Sequence, residues 1–88
     1  MNETIELTLR KEYKCYAPEN RCPCAWWREA TGIRPEEMRL NILRVLEIDG
    51  RFHIGRVRRQ DGAIYMNTIA VFDTVEAARM CYELEAAR

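Results

Sequence analysis

The stretch ILRVLEIDGRFHIGRVRRQDGAIYMNTIAVF, residues 42–72, decides the fold. It holds two Asp-Gly pairs, Asp49-Gly50 and Asp61-Gly62, each between apolar runs rich in β-branched residues. Asp-Gly favours the tight turns with left-handed backbone that join antiparallel strands, so the pattern predicts a three-stranded meander. A two-residue turn at 61 and 62 sets Phe52 beside Val71, Ile54 beside Ile69 and Val57 beside Met66. A three-residue turn over 49–51 sets Ile48 beside Phe52, Leu46 beside Ile54 and Leu43 beside Val57. One face then carries Leu46, Ile48, Phe52, Ile54, Ile69 and Val71, and the other Leu43, Val57 and Met66, with every strand changing its buried face near Gly55. In this register His53 faces solvent opposite Glu47.

Part of the stretch also fits a helix. Pro35, Glu36 and Glu37 followed by Met38, Ile42, Val45 and Leu46 at helical spacing, with Gly50 as a stop, describe a helix over 35–48. Read so, the chain resembles a winged helix domain. That resemblance implies a turn at Ala30-Thr31-Gly32-Ile33, a recognition helix at 35–48 and a wing at 51–72 carrying Arg56, Arg58 and Arg59. The agreement of two independent turn registers on one pair of faces favours the meander instead.

Outward from the meander, Thr4-Ile5-Glu6-Leu7-Thr8-Leu9 alternates as a strand with Ile5, Leu7 and Leu9 on one face. Residues 17–23 concentrate turn formers, and Pro23 opens a short helix that Gly32 closes, carrying Trp26 and Trp27. Asp73 with Glu76 forms a capping box behind Phe72, starting a helix over 74–87 that buries Ala77, Ala78, Cys81 and Leu84. The expected fold is α+β: one small domain spanning 1–88, an antiparallel meander packed against a C-terminal helix, with a short N-terminal strand and helix.

A meander followed by Phe72-Asp73-Thr74 and an Ala-rich helix is similar to the ending of many small phage and mobile-element proteins, some anti-CRISPR proteins among them. The resemblance covers residues 42–87. It implies an architecture rather than an activity; a phage-type inhibitor that occludes a larger host complex is the reading that small size, zero net charge and a two-faced sheet fit.

Composition narrows the function further. Fourteen Lys and Arg balance fourteen Asp and Glu, so no net field steers the chain toward nucleic acid or membranes. Residues 10–59 nevertheless hold twelve bases against seven acids, and residues 60–88 two against five. No apolar run is long enough to span a membrane and the N-terminus has no secretory pattern, so the expected location is the cytoplasm. The chain has no serine, a single histidine and no Gly-rich phosphate loop, which leaves a Cys–His pair using His53 as the sole nucleophilic arrangement. No signature supports that pair, and no enzyme is expected.

Cys15, Cys22 and Cys24 lie within ten residues, and His53 or Cys81 would complete a tetrahedral site. Cys22-Pro23-Cys24 brackets one residue where zinc knuckles bracket two to four, so ordinary thiols, a structural zinc and a disulfide at Cys15 remain three readings, with no cofactor the expected one. Binding residues are better represented. The meander aligns Arg44, Arg56 and Asn67 and sets Arg58 next to Tyr65, a combination suited to an acidic protein surface or a phosphate backbone. Trp26 and Trp27 supply apolar anchors. The expected function is a non-enzymatic protein-binding module, with a protein complex or a second copy as partner. The alternative is a winged-helix-like nucleic-acid-binding transcriptional regulator.

Overall fold

A computed structural model describes residues 3–17 and 31–88. Its strands are β1 (Glu3–Leu7), β2 (Tyr13–Cys15), β3 (Thr31–Ile33), β4 (Leu43–Ile48), β5 (Arg51–Gln60) and β6 (Ala63–Phe72). A 3-10 turn at Pro35–Glu37 precedes β4, and helix α1 (Val75–Ala86) follows β6. The strands form one antiparallel sheet in the order β1-β6-β5-β4-β2-β3, with the meander β4-β5-β6 at its centre. The α+β single domain expected from the sequence is present. The short N-terminal helix with Trp26 and Trp27 falls outside the described residues.

The helix over 35–48 does not form, and the winged helix architecture goes with it. Asn41 takes a left-handed φ of 63°, which ends any helical run, and the nearly continuous buried run that follows, with β-branched Val45 and Ile48, extends as β4.

Both Asp-Gly pairs make two-residue turns with left-handed backbone at both positions: Asp49 and Asp61 at φ 51°, Gly50 and Gly62 at φ 79°. The second turn sets the expected pairs Val57 with Met66 and Arg58 with Tyr65. The first is one residue shorter than expected, so Leu46 lies opposite His53, Val45 opposite Ile54, and Leu43 opposite Arg56. A bulge between Ile54 and Gly55 then shifts β5 against β6, placing Phe52 opposite Phe72 instead of Val71. Glycine is required at this level: a Cβ on Gly55 would sit 1.9 Å from the Asn67 carbonyl oxygen.

The bulge bends the long strands, and the sheet coils. Leu7 aligns through Ile64 with Arg59, whereas Tyr13 continues a ladder level with Arg51. On a flat sheet the two would be four strand spacings, about 19 Å, apart sideways and roughly 26 Å apart lengthwise. Yet six residues of chain, about 21 Å at full stretch, join them, and the Thr8 amide donates to Tyr13 Oη at 3.1 Å. Only a strongly coiled sheet brings these ends together. Its inner face carries Leu7, Ile64, Met66, Val57, Leu46, Tyr13, Cys15 and Ile33, all 4% exposed or less. Val57 and Met66 are thus covered within the chain, with Met38 joining the same core.

On the outer face α1 packs across β4, β5 and β6. Val45 and Ile54 are fully buried there. Arg79 Nε donates to the Tyr16 carbonyl at 2.9 Å, and the Tyr16 ring stands edge-on to Phe52. The N-cap is Thr74, whose hydroxyl accepts from the Ala77 amide, rather than Asp73, which faces Arg51 at 3.4 Å. The buried stripe is correspondingly Ala78 and Tyr82, and the expected core residue Leu84 is 71% exposed. Leu9, expected on the strand face of Ile5 and Leu7, lies beyond the end of β1 and is 45% exposed.

Candidate functional site

Beyond α1 the outer face of the sheet stays open. Strand alternation from the Asp61-Gly62 turn places Arg56, Arg58 and Gln60 of β5 on this face beside Asn67, Tyr65 and Ala63 of β6, and Thr4 and Glu6 of β1 extend the rows. Four residues singled out in the sequence, Arg56, Arg58, Tyr65 and Asn67, therefore share one surface.

Arg58 is held in place. Its Nε donates to Asn67 Oδ1 at 2.9 Å, its Nη1 donates to Gln60 Oε1, and its guanidinium lies 4.9 Å from the centre of the Tyr65 ring. Asn67 Oδ1 also accepts from the Thr4 hydroxyl at 3.4 Å. All these partners are neutral, so none offsets the guanidinium charge, and the side chain loses freedom before any ligand arrives. Arg56 is exposed and makes no ion pair among the described residues. Two guanidiniums on one face, one pre-oriented and one free, suit bidentate recognition of carboxylate or phosphate oxygens.

Arg44 does not belong to this surface. The shorter first turn pairs it with Gly55 rather than with Arg56 and Asn67, and it points inside, fully buried, its Nη2 donating to the Arg39 carbonyl at 2.7 Å. Trp26 and Trp27 lie outside the described residues.

His53 is corrected in the same way. It sits on the inner face, 5% exposed, with Nδ1 3.1 Å from the Thr68 hydroxyl, instead of on a solvent face opposite Glu47. Burial lowers its pKa below 6.5; Glu3 and Asp49 oppose the shift and Arg51 adds to it. The folded state therefore favours the neutral ring. Stability from this group is complete above pH 6.5 and is lost as pH falls from there through the lower folded-state pKa. Urea midpoints measured from pH 7.5 to 4.5 are expected to fall more steeply for the native chain than for His53→Asn. Parallel slopes would show that the ring is protonated without cost.

Of the proposed metal ligands, Cys15 is wholly enclosed, and Leu46 stands between it and His53 in the row across β2, β4 and β5. Cys22 and Cys24 fall outside the described residues, and among the described ones no three His, Cys, Asp or Glu side chains gather where a metal would bind. Cys81 lies on α1, where burial first and Glu85 second raise its thiol pKa, so it stays protonated at neutral pH.

A notch was not anticipated from the sequence. Pairing of β1 with β6 ends at Leu7 and Ile64, the chain turns away at Leu9 and Arg10, and the hairpin tip at Gly62 and Ala63 is left open. The space between, about 480 Å³, is lined by residues 6–10 with Gly62 and Ala63. Its one sequence signal was Leu9, an apolar residue at the end of an alternating run with no partner across from it.

No protein-family model, curated protein or solved structure matches this chain. Its sites are therefore read from their own chemistry. Among the described residues no helix is long and apolar enough to cross a membrane.

Proposed function

We propose that the protein is a non-enzymatic binding module that docks on an acidic surface of a protein partner through the outer sheet face, with Arg56, Arg58, Tyr65 and Asn67 as its contacts. The observation that carries this reading is the pre-oriented Arg58, fixed by neutral acceptors and stacked on Tyr65 beside the free charge of Arg56. Arginine and tyrosine are the residue types that dominate the energetics of protein interfaces, and pre-orientation reduces the entropy lost on binding. Bulk supplies the rest of the mechanism. A rigid coiled sheet with α1 on its back excludes other molecules from whatever surface it covers, the action of an anti-CRISPR-like inhibitor of phage type on a larger host complex.

The test is a pull-down from bacterial lysate in nuclease-treated and untreated halves. A defined protein complex should survive nuclease, and Arg56→Ala with Arg58→Ala should weaken its binding at least about thirty-fold, or roughly 2 kcal/mol. The same double variant should unfold within about 1.5 kcal/mol of the native chain, since Arg56 is exposed and Arg58 gives up only its half-buried contacts to Asn67, Gln60 and Tyr65. Binding that vanishes with nuclease would transfer the patch to a phosphate backbone, and light scattering of the purified protein would report a second copy as the occupant.

A further inference from the structure

The notch and the arginine pair are parts of one track. Ala63, which lines the notch, is an outer-face residue, and the next outer-face levels along β5 and β6 are Arg58 with Tyr65, flanked by Glu6 of β1, and then Arg56 with Asn67, flanked by Thr4. Same-face positions recur every two residues, about 7 Å. A ligand in extended conformation lying along the hairpin repeats at the same interval. The notch has an apolar wall in half-exposed Leu9, with Ala63 beside it, and its volume of about 480 Å³ accommodates a large side chain. Charge is distributed to one side of the track: the arginines stand on β5 and Glu6 on β1.

We propose that the module captures an extended acidic peptide segment of its partner, seating an apolar side chain in the notch and carboxylates two and four residues further along at Arg58 and Arg56. This inference rests on the protein-binding reading above and adds the form of the ligand. An extended segment is favoured over a folded acidic surface because the three subsites share the strand period. It is favoured over nucleic acid because the notch offers an apolar anchor site and the chain carries no net positive charge. Glu6 sets direction, holding the ligand's acids toward β5.

The experiment is selection of a random peptide library on the immobilised protein, followed by titration of the enriched synthetic peptide into isotope-labelled protein. Enriched sequences are expected to share an apolar residue with Asp or Glu two and four positions away. The peptide should shift the amides of Leu9, Gly62 and Ala63 together with the Arg58 Nε resonance. Replacing the peptide's apolar residue with alanine, or introducing Leu9→Glu on the exposed wall of the notch, should each weaken binding about tenfold or more. Glu6→Gln should strengthen it.

No enrichment, or acidic sequences without a fixed apolar position, would overturn the inference. So would a Leu9→Glu variant that binds as well as the native chain. If the pull-down complex still depends on Arg56 and Arg58 in those cases, the docking surface stands and only the peptide track falls. A mixed-sequence single-stranded oligonucleotide that shifts Arg58 and binds more tightly than the enriched peptide would remove both.

Discussion

Gly55→Ala is expected to cost at least about 3 kcal/mol, a large share of the protein's stability. A Cβ at this position would lie 1.9 Å from the Asn67 carbonyl oxygen, 2.8 Å from its carbon and 3.0 Å from the Thr68 Cα. All three belong to the backbone of the neighbouring strand, so no side-chain rotation relieves the overlap. The pair must separate or the bulge must move, and either breaks ladder hydrogen bonds at the point where the sheet bends. Overpacking in a yielding core costs about 1–3 kcal/mol, and a rigid backbone contact belongs at or above the top of that range. The whole stability of a domain this size is about 4–13 kcal/mol. Elsewhere the same change acts through the unfolded chain, where losing glycine's freedom stabilises by roughly 0.4–1 kcal/mol; that gain is too small to offset the clash. Gly62→Ala is the control: it has open space around it and a left-handed φ of 79°, and should cost only about 1–2 kcal/mol. Urea denaturation with an amide correlation spectrum decides the matter. A Gly55→Ala chain within about 1 kcal/mol of native stability would mean that the strands do not approach as described.

Gly55 also marks where the sequence stops being legible. The Asp-Gly turns are local signals, readable because few residues tolerate left-handed backbone at both positions, and from Asp61-Gly62 the register runs correctly to Arg56 and Asn67. Past that point the extra residue of the bulge has no signature in β6; its trace is the glycine on the opposite strand. At the first turn, a three-residue loop sets apolar beside apolar, Leu46 with Ile54, whereas the two-residue turn that forms sets Leu46 beside His53, so pairing like with like is no guide to this register. That criterion fails where the interior holds a polar pair, and His53 with Thr68 is one.

The apparent change of face near Gly55 has a related origin. It reads as each strand switching its buried side, but the sheet is apolar on both sides over part of its length. The inner face is closed by coiling, and the outer face is covered by α1 only above Arg56. What remains open is set by where the helix ends its coverage, a long-range fact that no local pattern encodes. The arginine surface was therefore legible in its members, Arg56, Arg58, Tyr65 and Asn67. Arg44 was assigned to it because strand parity was read across the wrong turn. The N-terminal strands β2 and β3 were missed since three residues carry too little alternation to register.

The rotation of α1 yields the second large effect. Helical spacing alone allowed a stripe of Ala77, Ala78, Cys81 and Leu84, and Thr74 in place of Asp73 as N-cap shifts the start by one residue. A one-residue shift of the cap does not itself turn the helix. What selects the buried side is Tyr82, whose ring fills more space against β4–β6 than Leu84 would and stays 1% exposed. Tyr82→Ala should consequently cost about 3–5 kcal/mol, the range for removing a buried aromatic side chain, because sheet and helix backbones cannot close the space. Leu84→Ala, at 71% exposure, should fall within about 0.5 kcal/mol of the native chain. Chemical denaturation of the two variants reads the rotation directly. Equal losses, or a larger loss for Leu84→Ala, would turn the helix over and bring Met80 inward with Leu84, since the two lie one turn apart on the same side.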